Sequence, residues 1–165
     1  MSCVDKILQR RSIRKYKKEP IPENVKEKII EAGRQAPSAS NKQPWHFIIV
    51  TDQVLKEKLS VGKYAGFVKD ADFVVVGVGL TSDPGYQRWS VVDVTIALQN
   101  MVIAAEVQGV GSCWIGSFDE NEVKQLLGIP KEAIVVALMP FGIPDENPAP
   151  RPKKQLVEIT HHNKW

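Results

Sequence analysis

The longest helical pattern in this sequence covers residues 90–108 and is apolar on nearly all sides of the helix. A helix of that kind is stable only when it is buried, so other elements must cover it from several directions. The pattern therefore predicts a helix at the centre of a folded domain. A membrane span is the alternative interpretation. It is disfavoured because the sequence has no second candidate span and because four polar residues interrupt the pattern, namely Asp93, Gln99, Asn100 and Glu106.

The composition fits one domain. The chain has 165 residues, of which 43% are hydrophobic and 25% are charged, and these values are typical of a globular protein rather than of a disordered or fibrous one. We expect a single domain over residues 1–165. The two cysteines, Cys3 and Cys113, can form neither a disulfide framework nor a zinc pair. Because the first eighteen residues also lack the apolar core of a signal peptide, we expect a cytoplasmic protein.

Shorter patterns on either side of the long helix predict one sheet and several helices. Apolar runs with β-branched residues predict buried strands at residues 45–50, 73–80 and 134–139. Two weaker strand patterns lie within residues 109–116 and at residues 155–160. Helices are predicted at residues 1–10, 22–36, 54–60 and 119–127, the last ending at Gly128. This order predicts an α+β domain in which helices flank one sheet.

Positive charge is concentrated near the start of the sequence. Residues 1–18 have a net charge of +6, whereas the rest of the chain is at −3. Within residues 10–18, which we call the basic segment, three guanidinium groups and a hydroxyl lie close together, a combination that binds phosphate oxygens. A phosphorylated small molecule, a nucleic acid and an acidic membrane surface are candidate ligands, and a solvated basic surface is the alternative. The acidic remainder of the chain disfavours a nucleic acid.

A second feature is the loop at residues 36–45, between a predicted helix and a predicted strand. It places two hydroxyl and two amide side chains between Pro37 and Pro44. Such a loop can surround a polar heterocycle with hydrogen-bond donors and acceptors. Taken alone, a simple connection between helix and strand explains it more economically.

These two segments, together with three others in the same order, resemble the nitroreductase family of FMN-dependent NAD(P)H oxidoreductases. The resemblance covers nearly the whole chain. Its motifs are Arg10-Arg-Ser-x-Arg-x-Tyr16, Ala36-Pro-Ser-x-x-Asn-x-Gln-Pro-Trp45, Asp93-Val-Thr-Ile-Ala-Leu-Gln-Asn100, Gly109-Val-Gly-Ser-Cys-Trp-Ile-Gly116, and Phe141-Gly-Ile-Pro144 followed by Arg151-Pro-Lys-Lys154. Each motif alone is weak, whereas five in the family's order within one chain are specific.

The resemblance implies an α+β, nitroreductase-like fold with a central mixed or antiparallel sheet, flanking helices and a long buried core helix. It implies a homodimer with two FMN sites at the subunit interface and NADH or NADPH as co-substrate. The chemistry would be centred on the flavin, with no catalytic side chain. Hydride would pass to a small-molecule acceptor, such as a nitroaromatic compound or a quinone, in a ping-pong cycle.

The resemblance also implies roles for individual residues. Those that would bind the phosphate and ribityl chain of FMN are Arg10, Arg11, Ser12, Arg151 and Lys153. Arg14 would approach the pyrimidine edge of the flavin, where a cation stabilises the negative charge of the reduced ring. Those that would lie along one flavin edge are Cys113, Trp114, Ile115 and Gly116, with the N–H of Ile115 or Gly116 bonded to N5. Those that would reach the cofactor from the other subunit are Ser38, Ala39 and Asn41.

Several alternatives stay open at the level of the sequence. Cys113 is either a redox thiol or a small buried core residue. Residues 62–69 cannot be aligned with the family one by one, and nothing distinguishes NADH from NADPH. No metal site is predicted, because the adjacent His161 and His162 would point to opposite faces of a strand. A nucleic-acid-binding protein and a flavin carrier are the alternative functions; salt-dependent retention on DNA would mark the first.

Overall fold

The sheet is centred on strand Phe73–Gly79 (β2), and all seven of its residues are buried. In the computed structural model, which describes residues 2–165, β2 pairs with Trp45–Val50 (β1) on one side and with Ile134–Gly142 (β4) on the other. The short strand Gly111–Ser112 (β3) continues the sheet beyond β4, giving the order β1-β2-β4-β3. All of these pairings are antiparallel. The strands predicted at residues 45–50 and 73–80 are therefore confirmed, and the third predicted strand runs on to Gly142.

Helix Gln87–Val107 (α4) is the predicted core helix, and it begins three residues earlier than the sequence pattern suggests. It contacts β2, β4 and helix Glu23–Arg34 (α2). The two helices approach closely at Gly33, where an added Cβ would lie 2.1 Å from Cε of Met101. Burying a side chain such as Met101 contributes about 1.5–3 kcal/mol. By length and composition alone α4 could span a membrane, but these contacts identify it as the core helix of the domain.

Side chains alternate between two apolar clusters along β2. Phe73 and Val75 belong to the cluster that contains α4, whereas Val74 and Val76 belong to a second cluster. Helices Gln53–Leu59 (α3) and Glu120–Leu127 (α5) contribute to that second cluster. Since residues i and i+2 of a strand share one face, β2 separates two layers of core.

The predicted boundaries of α5 are confirmed. The side chain of Asp119 accepts a hydrogen bond from the backbone N–H of Glu122 at 2.9 Å, which caps the first turn. The helix ends at Gly128, whose φ of 67° is left-handed and therefore suits glycine.

The end of the chain differs from the prediction, because residues 155–160 form a helix instead of an edge strand. In Leu156–Ile159 (α6) the backbone N–H of Gln155 donates to Glu158 at 2.6 Å, and the Thr160 hydroxyl donates to the carbonyl of Leu156 at the same distance. An alternating pattern produces a strand only where a neighbouring strand offers hydrogen bonds; here the bonds close locally. At the other end, Cys3–Gln9 (α1) confirms the first predicted helix, except that residue 1 lies outside the described residues.

Candidate active site

Two neighbouring cavities contain most of the residues that the sequence selects. The first, which we call the anion cavity, has a volume of about 400 Å³. Its lining consists of Ile7, Leu8, Arg10, Arg11, Ser12, Arg14, Pro148, Ala149, Pro150, Arg151 and Lys153. Among these described residues five are cationic and none is acidic. Segments from both ends of the chain thus meet around one positively charged space.

The basic segment reaches this position by pairing with the edge of the sheet. Ser12 forms a parallel bridge with Ser112 of β3, and the N–H of Ile13 donates to the Ser112 carbonyl at 3.0 Å. Two side chains of the segment, Ile13 and Tyr16, pack against glycines of the sheet. A Cβ added to Gly111 would lie 2.8 Å from Cγ1 of Ile13. A Cβ on Gly142 would likewise lie 2.5 Å from the ring of Tyr16. The two glycines therefore let the segment lie directly on the sheet.

The arginines of the anion cavity differ in their partners. Nη1 of Arg10 is buried and has no hydrogen-bond partner. Nη1 of Arg11 instead donates to the carbonyls of Gln9 at 2.7 Å and of Arg10 at 3.0 Å. A buried donor without a partner costs about 1–3 kcal/mol, and an anion in the cavity would remove that cost. The lining therefore fits the phosphate group of a cofactor.

The second cavity, which we call the ring cavity, has a volume of about 500 Å³ and shares Arg14 with the first. Its lining consists of Arg14, Lys63, Tyr64, Gly66, Phe67, Cys113, Trp114, Ile115, Gly116 and Ser117. Three of these side chains are aromatic and two are cationic. The turn from Cys113 to Gly116 therefore lines the ring cavity, which adjoins the anion cavity lined by Arg10, Arg11 and Ser12.

Backbone hydrogen bonds fix the turn between Cys113 and Gly116. The N–H of Ile115 donates to the carbonyl of Leu138 at 3.0 Å, and the N–H of Leu138 donates back at the same distance. The indole N–H of Trp114 donates to the side chain of Gln99 on α4 at 3.2 Å. A Cβ added to Gly116 would have no atom within 4 Å. Of the two candidate donors in this turn, the N–H of Ile115 is therefore already bonded, whereas within the described chain the N–H of Gly116 donates to no backbone carbonyl.

Cys113 is buried, as the core interpretation expects. Burial raises the pKa of its thiol, and the nearby Arg14 opposes that rise only in part. Burial also raises the pKa of Tyr16, whose hydroxyl donates to the carbonyl of Ile13 at 2.7 Å. Both groups are therefore protonated at neutral pH, so neither supplies a charge to the ring cavity.

Residues 62–69 cannot be aligned with the family one by one, yet four of them line the ring cavity: Lys63, Tyr64, Gly66 and Phe67. The segment has no helical or strand period, and a loop without such a period gives no indication of which way its side chains face. The one feature of the sequence that could have indicated a binding role is the pair Lys63 and Tyr64, which lies between Gly62 and Gly66.

Ser38, Ala39 and Asn41 lie apart from these cavities. Within the described chain they contribute to the lining of neither one. Their loop is held instead against α4, where the N–H of Ala39 donates to the carboxylate of Asp93 at 3.2 Å. One subunit therefore brings together the phosphate and ring residues, but not these three.

Comparisons with known proteins point to one family. The model of the nitroreductase family matches residues 7–61 and 59–143. A protein from Methanothermobacter thermautotrophicus, provisionally named an NADH dehydrogenase/NAD(P)H nitroreductase, is 36% identical over 173 residues and covers 100% of this chain and 88% of its own.

Two solved structures are also similar. The NADPH:FMN oxidoreductase from Vibrio harveyi, complexed with NAD+, has a TM-score of 0.93 and 29% identity, covering 99% of this chain and 77% of its own. An FMN-dependent nitroreductase from Clostridium difficile has a TM-score of 0.87 and 26% identity, covering 98% of this chain and 99% of its own. The fold, the motifs and these relatives agree: the chain belongs to the nitroreductase family.

Proposed function

We propose that this chain is an FMN-dependent oxidoreductase that takes hydride from NADH or NADPH and passes it to a small-molecule acceptor. The observation that carries the proposal is the junction of the two cavities at Arg14. One cavity suits a phosphate and the other a planar ring, and FMN carries both groups. When bound, FMN supplies an N5 atom that accepts hydride and later gives it up.

At the phosphate end, the protein supplies charge. The unpartnered Nη1 of Arg10 is a donor for one phosphate oxygen, and the exposed Arg151 and Lys153 add two cations from the other end of the chain. A phosphate of charge about −2 forms strong, charge-assisted hydrogen bonds with such groups. Because these cations surround a cavity instead of forming a long stripe, the arrangement favours a small phosphate over a nucleic acid.

At the ring end, the protein supplies shape and one positive charge. The guanidinium of Arg14 would stabilise negative charge that develops on the reduced ring. The N–H of Gly116 is the candidate donor to the ring edge, since that of Ile115 is bonded to Leu138. With the Cys113 thiol buried and protonated, we assign no nucleophile to the site. The protein holds donor and acceptor in turn against one face.

Exposed apolar side chains support a homodimer. On α1, Leu8 is 75% exposed, and all of residues 151–165 are exposed in the single chain. Apolar area of this extent is covered in most proteins by a partner. A twofold partner would also bring Ser38, Ala39 and Asn41 to the other subunit's flavin. As acceptors we propose nitroaromatic compounds and quinones, which are planar and fit the ring cavity. We propose the cytoplasm as the location of the protein.

A visible absorption spectrum tests the proposal. We expect purified protein, reconstituted with FMN and freed of excess, to show a flavin spectrum that bleaches on anaerobic addition of NADH or NADPH. Dithionite provides the control for complete reduction. A flavin spectrum that dithionite bleaches and both nucleotides leave unchanged would indicate a flavin carrier, and protein that retains no FMN would contradict the proposal.

A further inference from the structure

The loop from Ser38 to Gln43 has an unusual backbone for residues with side chains. Three of its six residues have a left-handed φ: Ser40 at 51°, Asn41 at 54° and Gln43 at 49°. None of them is glycine, so each conformation is strained and must be held by its surroundings. Ser40 and Asn41 are nevertheless exposed. An exposed, polar and strained loop is typical of a binding element, whereas a simple connection would relax.

A buried carboxylate on the core helix holds this loop. Asp93 is 2% exposed, and its two oxygens lie 3.2 and 3.3 Å from the backbone nitrogen of Ala39, which donates to them. A buried carboxylate is stable only with such partners. Because Asp93 lies on α4, in the centre of the core, it fixes the loop relative to the sheet.

Tyr86 supports the same contact from the turn before α4. Its hydroxyl contacts the Asp93 carboxylate and lies 2.9 Å from the carbonyl of Ala39. Burial, together with Asp93, raises the pKa of Tyr86 to about 12, so the hydroxyl stays protonated at neutral pH. Asp93 and Tyr86 therefore both lie against Ala39, and the carboxylate accepts the N–H of this residue.

Further contacts tie down the rest of the loop. The hydroxyl of Ser38 accepts a hydrogen bond from the N–H of Gln43 at 3.0 Å, which closes the loop on itself. The ammonium of Lys42 lies 3.1 Å from the carboxylate of Asp83 and 4.3 Å from the centre of the Tyr86 ring. Side chains from residues 83–93 therefore hold the loop while Ser40 and Asn41 face outward.

We propose that Asp93 is a positioning residue of the FMN site, which through Ala39 holds this loop in the conformation that contacts the flavin of the partner subunit. The inference rests on the proposed function, and it adds a residue that touches neither cavity. A loop held in its binding conformation loses little entropy when the cofactor binds. Without the carboxylate the loop relaxes, and the cofactor must order it again.

The first test measures FMN affinity by ultrafiltration of diluted holoenzyme. We expect Asp93→Ala to weaken FMN binding roughly tenfold or more, Tyr86→Phe to weaken it less, and Asp93→Asn, which keeps an acceptor oxygen, to restore part of the loss. Glu106→Ala, an acid at the other end of α4, is the matched control and should bind FMN as the unmodified protein does. A dimeric Asp93→Ala protein with unchanged FMN affinity would overturn the inference. If that variant does not fold, Tyr86→Phe with unchanged affinity would overturn it equally.

The second test uses mixed dimers with two affinity tags. One chain carries Asp93→Ala and the other Arg10→Met, so that one chain has an altered loop and the other an altered phosphate site. If the loop serves the partner, one of the two sites combines an intact loop with an intact phosphate site. We expect one FMN per mixed dimer at a concentration where both variant homodimers are empty. No bound FMN in the mixed dimer would overturn the proposal, whereas failure of the unmodified protein to bind FMN would overturn the proposed function itself.

Discussion

The side chain of Glu146 accepts hydrogen bonds from the backbone N–H groups of Arg14 and of the following residue, Lys15, 132 and 131 positions away in the sequence. The N–H of Asp145 donates in return to the carbonyl of Lys15 at 2.9 Å. These bonds join the basic segment to the chain that follows β4. The Glu146 carboxylate contacts the backbone of Arg14 and not its guanidinium. It therefore fixes the position of Arg14, the residue that both cavities share, without pairing with the guanidinium group.

Replacing Glu146 should therefore loosen the junction of the two cavities. We expect Glu146→Ala to weaken FMN binding several-fold and to lower the free energy of unfolding by about 1 kcal/mol, since two backbone donors lose their acceptor. Glu146→Gln keeps an oxygen at this position and should retain most of both. Flavin retention and urea unfolding measure the two effects, with Glu132→Ala as an exposed acidic control. Equal behaviour of Glu146→Ala and the control would contradict this role.

Arg10 and Arg11 should differ in their contributions, although the sequence treats them alike. Losing a charge-assisted hydrogen bond to phosphate costs about 1.5–3 kcal/mol, so Arg10→Met should weaken FMN binding roughly ten- to one-hundred-fold. The same change should leave the FMN-free protein as stable as before, because it removes a buried donor without a partner. Arg11→Met should have the smaller effect on FMN, since this guanidinium already has two carbonyl partners.

Fluorescence of released FMN and thermal unfolding of FMN-free protein test the pair. Lys6→Met removes the same charge from α1, outside the anion cavity, and should leave FMN binding unchanged. Arg11→Met with the larger loss of affinity would show that the two guanidinium groups exchange roles when the cofactor binds.

The sequence predicts the sheet well because its strands carry a local signal. The β-branched run at Trp45–Val50 and the buried run at Phe73–Gly79 have few alternative structures, and the capping residue Asp119 marks the start of α5. The signal fails at Leu156–Ile159, since an alternating run becomes a strand only beside a partner strand and otherwise closes its own hydrogen bonds.

The site could be predicted in part only, because its details depend on tertiary contacts. Two adjacent arginines look alike in a sequence, and only the fold shows that one binds carbonyls while the other lacks a partner. In the sequence, Asp93 is only a polar interruption of an apolar helix. In the structure, its carboxylate accepts a hydrogen bond from the backbone N–H of Ala39. In each case the information lies in residues that are distant in the sequence.

The exposed residues 155–165 should be needed for the proposed dimer. Deleting residues 155–165 removes Leu156 and Val157, which are 75% and 76% exposed in the single chain. We expect the truncated protein to have the mass of a monomer by light scattering and to lose FMN, because the dimer interface would be incomplete. Lys164→Ala is the control and should remain dimeric. A truncated protein that stays dimeric with full FMN content would show that this segment has another role.

Initial-rate kinetics should show that NAD(P)H and the acceptor use the same site one after the other. Since NAD(P)H and the acceptor would both need the ring cavity of about 500 Å³, the first product must leave before the acceptor binds. Initial rates measured against nicotinamide nucleotide at several concentrations of a quinone or nitroaromatic compound should give parallel double-reciprocal lines. Lines that intersect would mean that both substrates occupy the protein together.

The ion pair of Glu120 should make stability depend on pH in the acid range. Its carboxylate lies 2.8 Å from the ammonium of Lys124 and accepts the N–H of Val135 at 3.1 Å, linking α5 to β4. The hydrogen bond to Lys124 lowers the pKa of Glu120 below its usual 4.5. Burial opposes this shift, and the bond from Val135 adds to it. A lowered pKa in the folded state means that the pair stabilises the protein above the pKa of the unfolded chain and loses that effect as the pH falls through the folded value.

Glu120→Gln should therefore destabilise the protein at neutral pH by no more than about 1 kcal/mol, since the pair is partly exposed. The difference from the unmodified protein should shrink between neutral pH and an acidic pH below the folded pKa of Glu120, where the carboxyl group of the unmodified protein also becomes neutral. Urea unfolding at both pH values measures it, with Lys124→Met as the matching change of the partner and Glu132→Gln as a control without an ion pair. A difference that persists unchanged in acid would show that the variant acts through packing instead of charge.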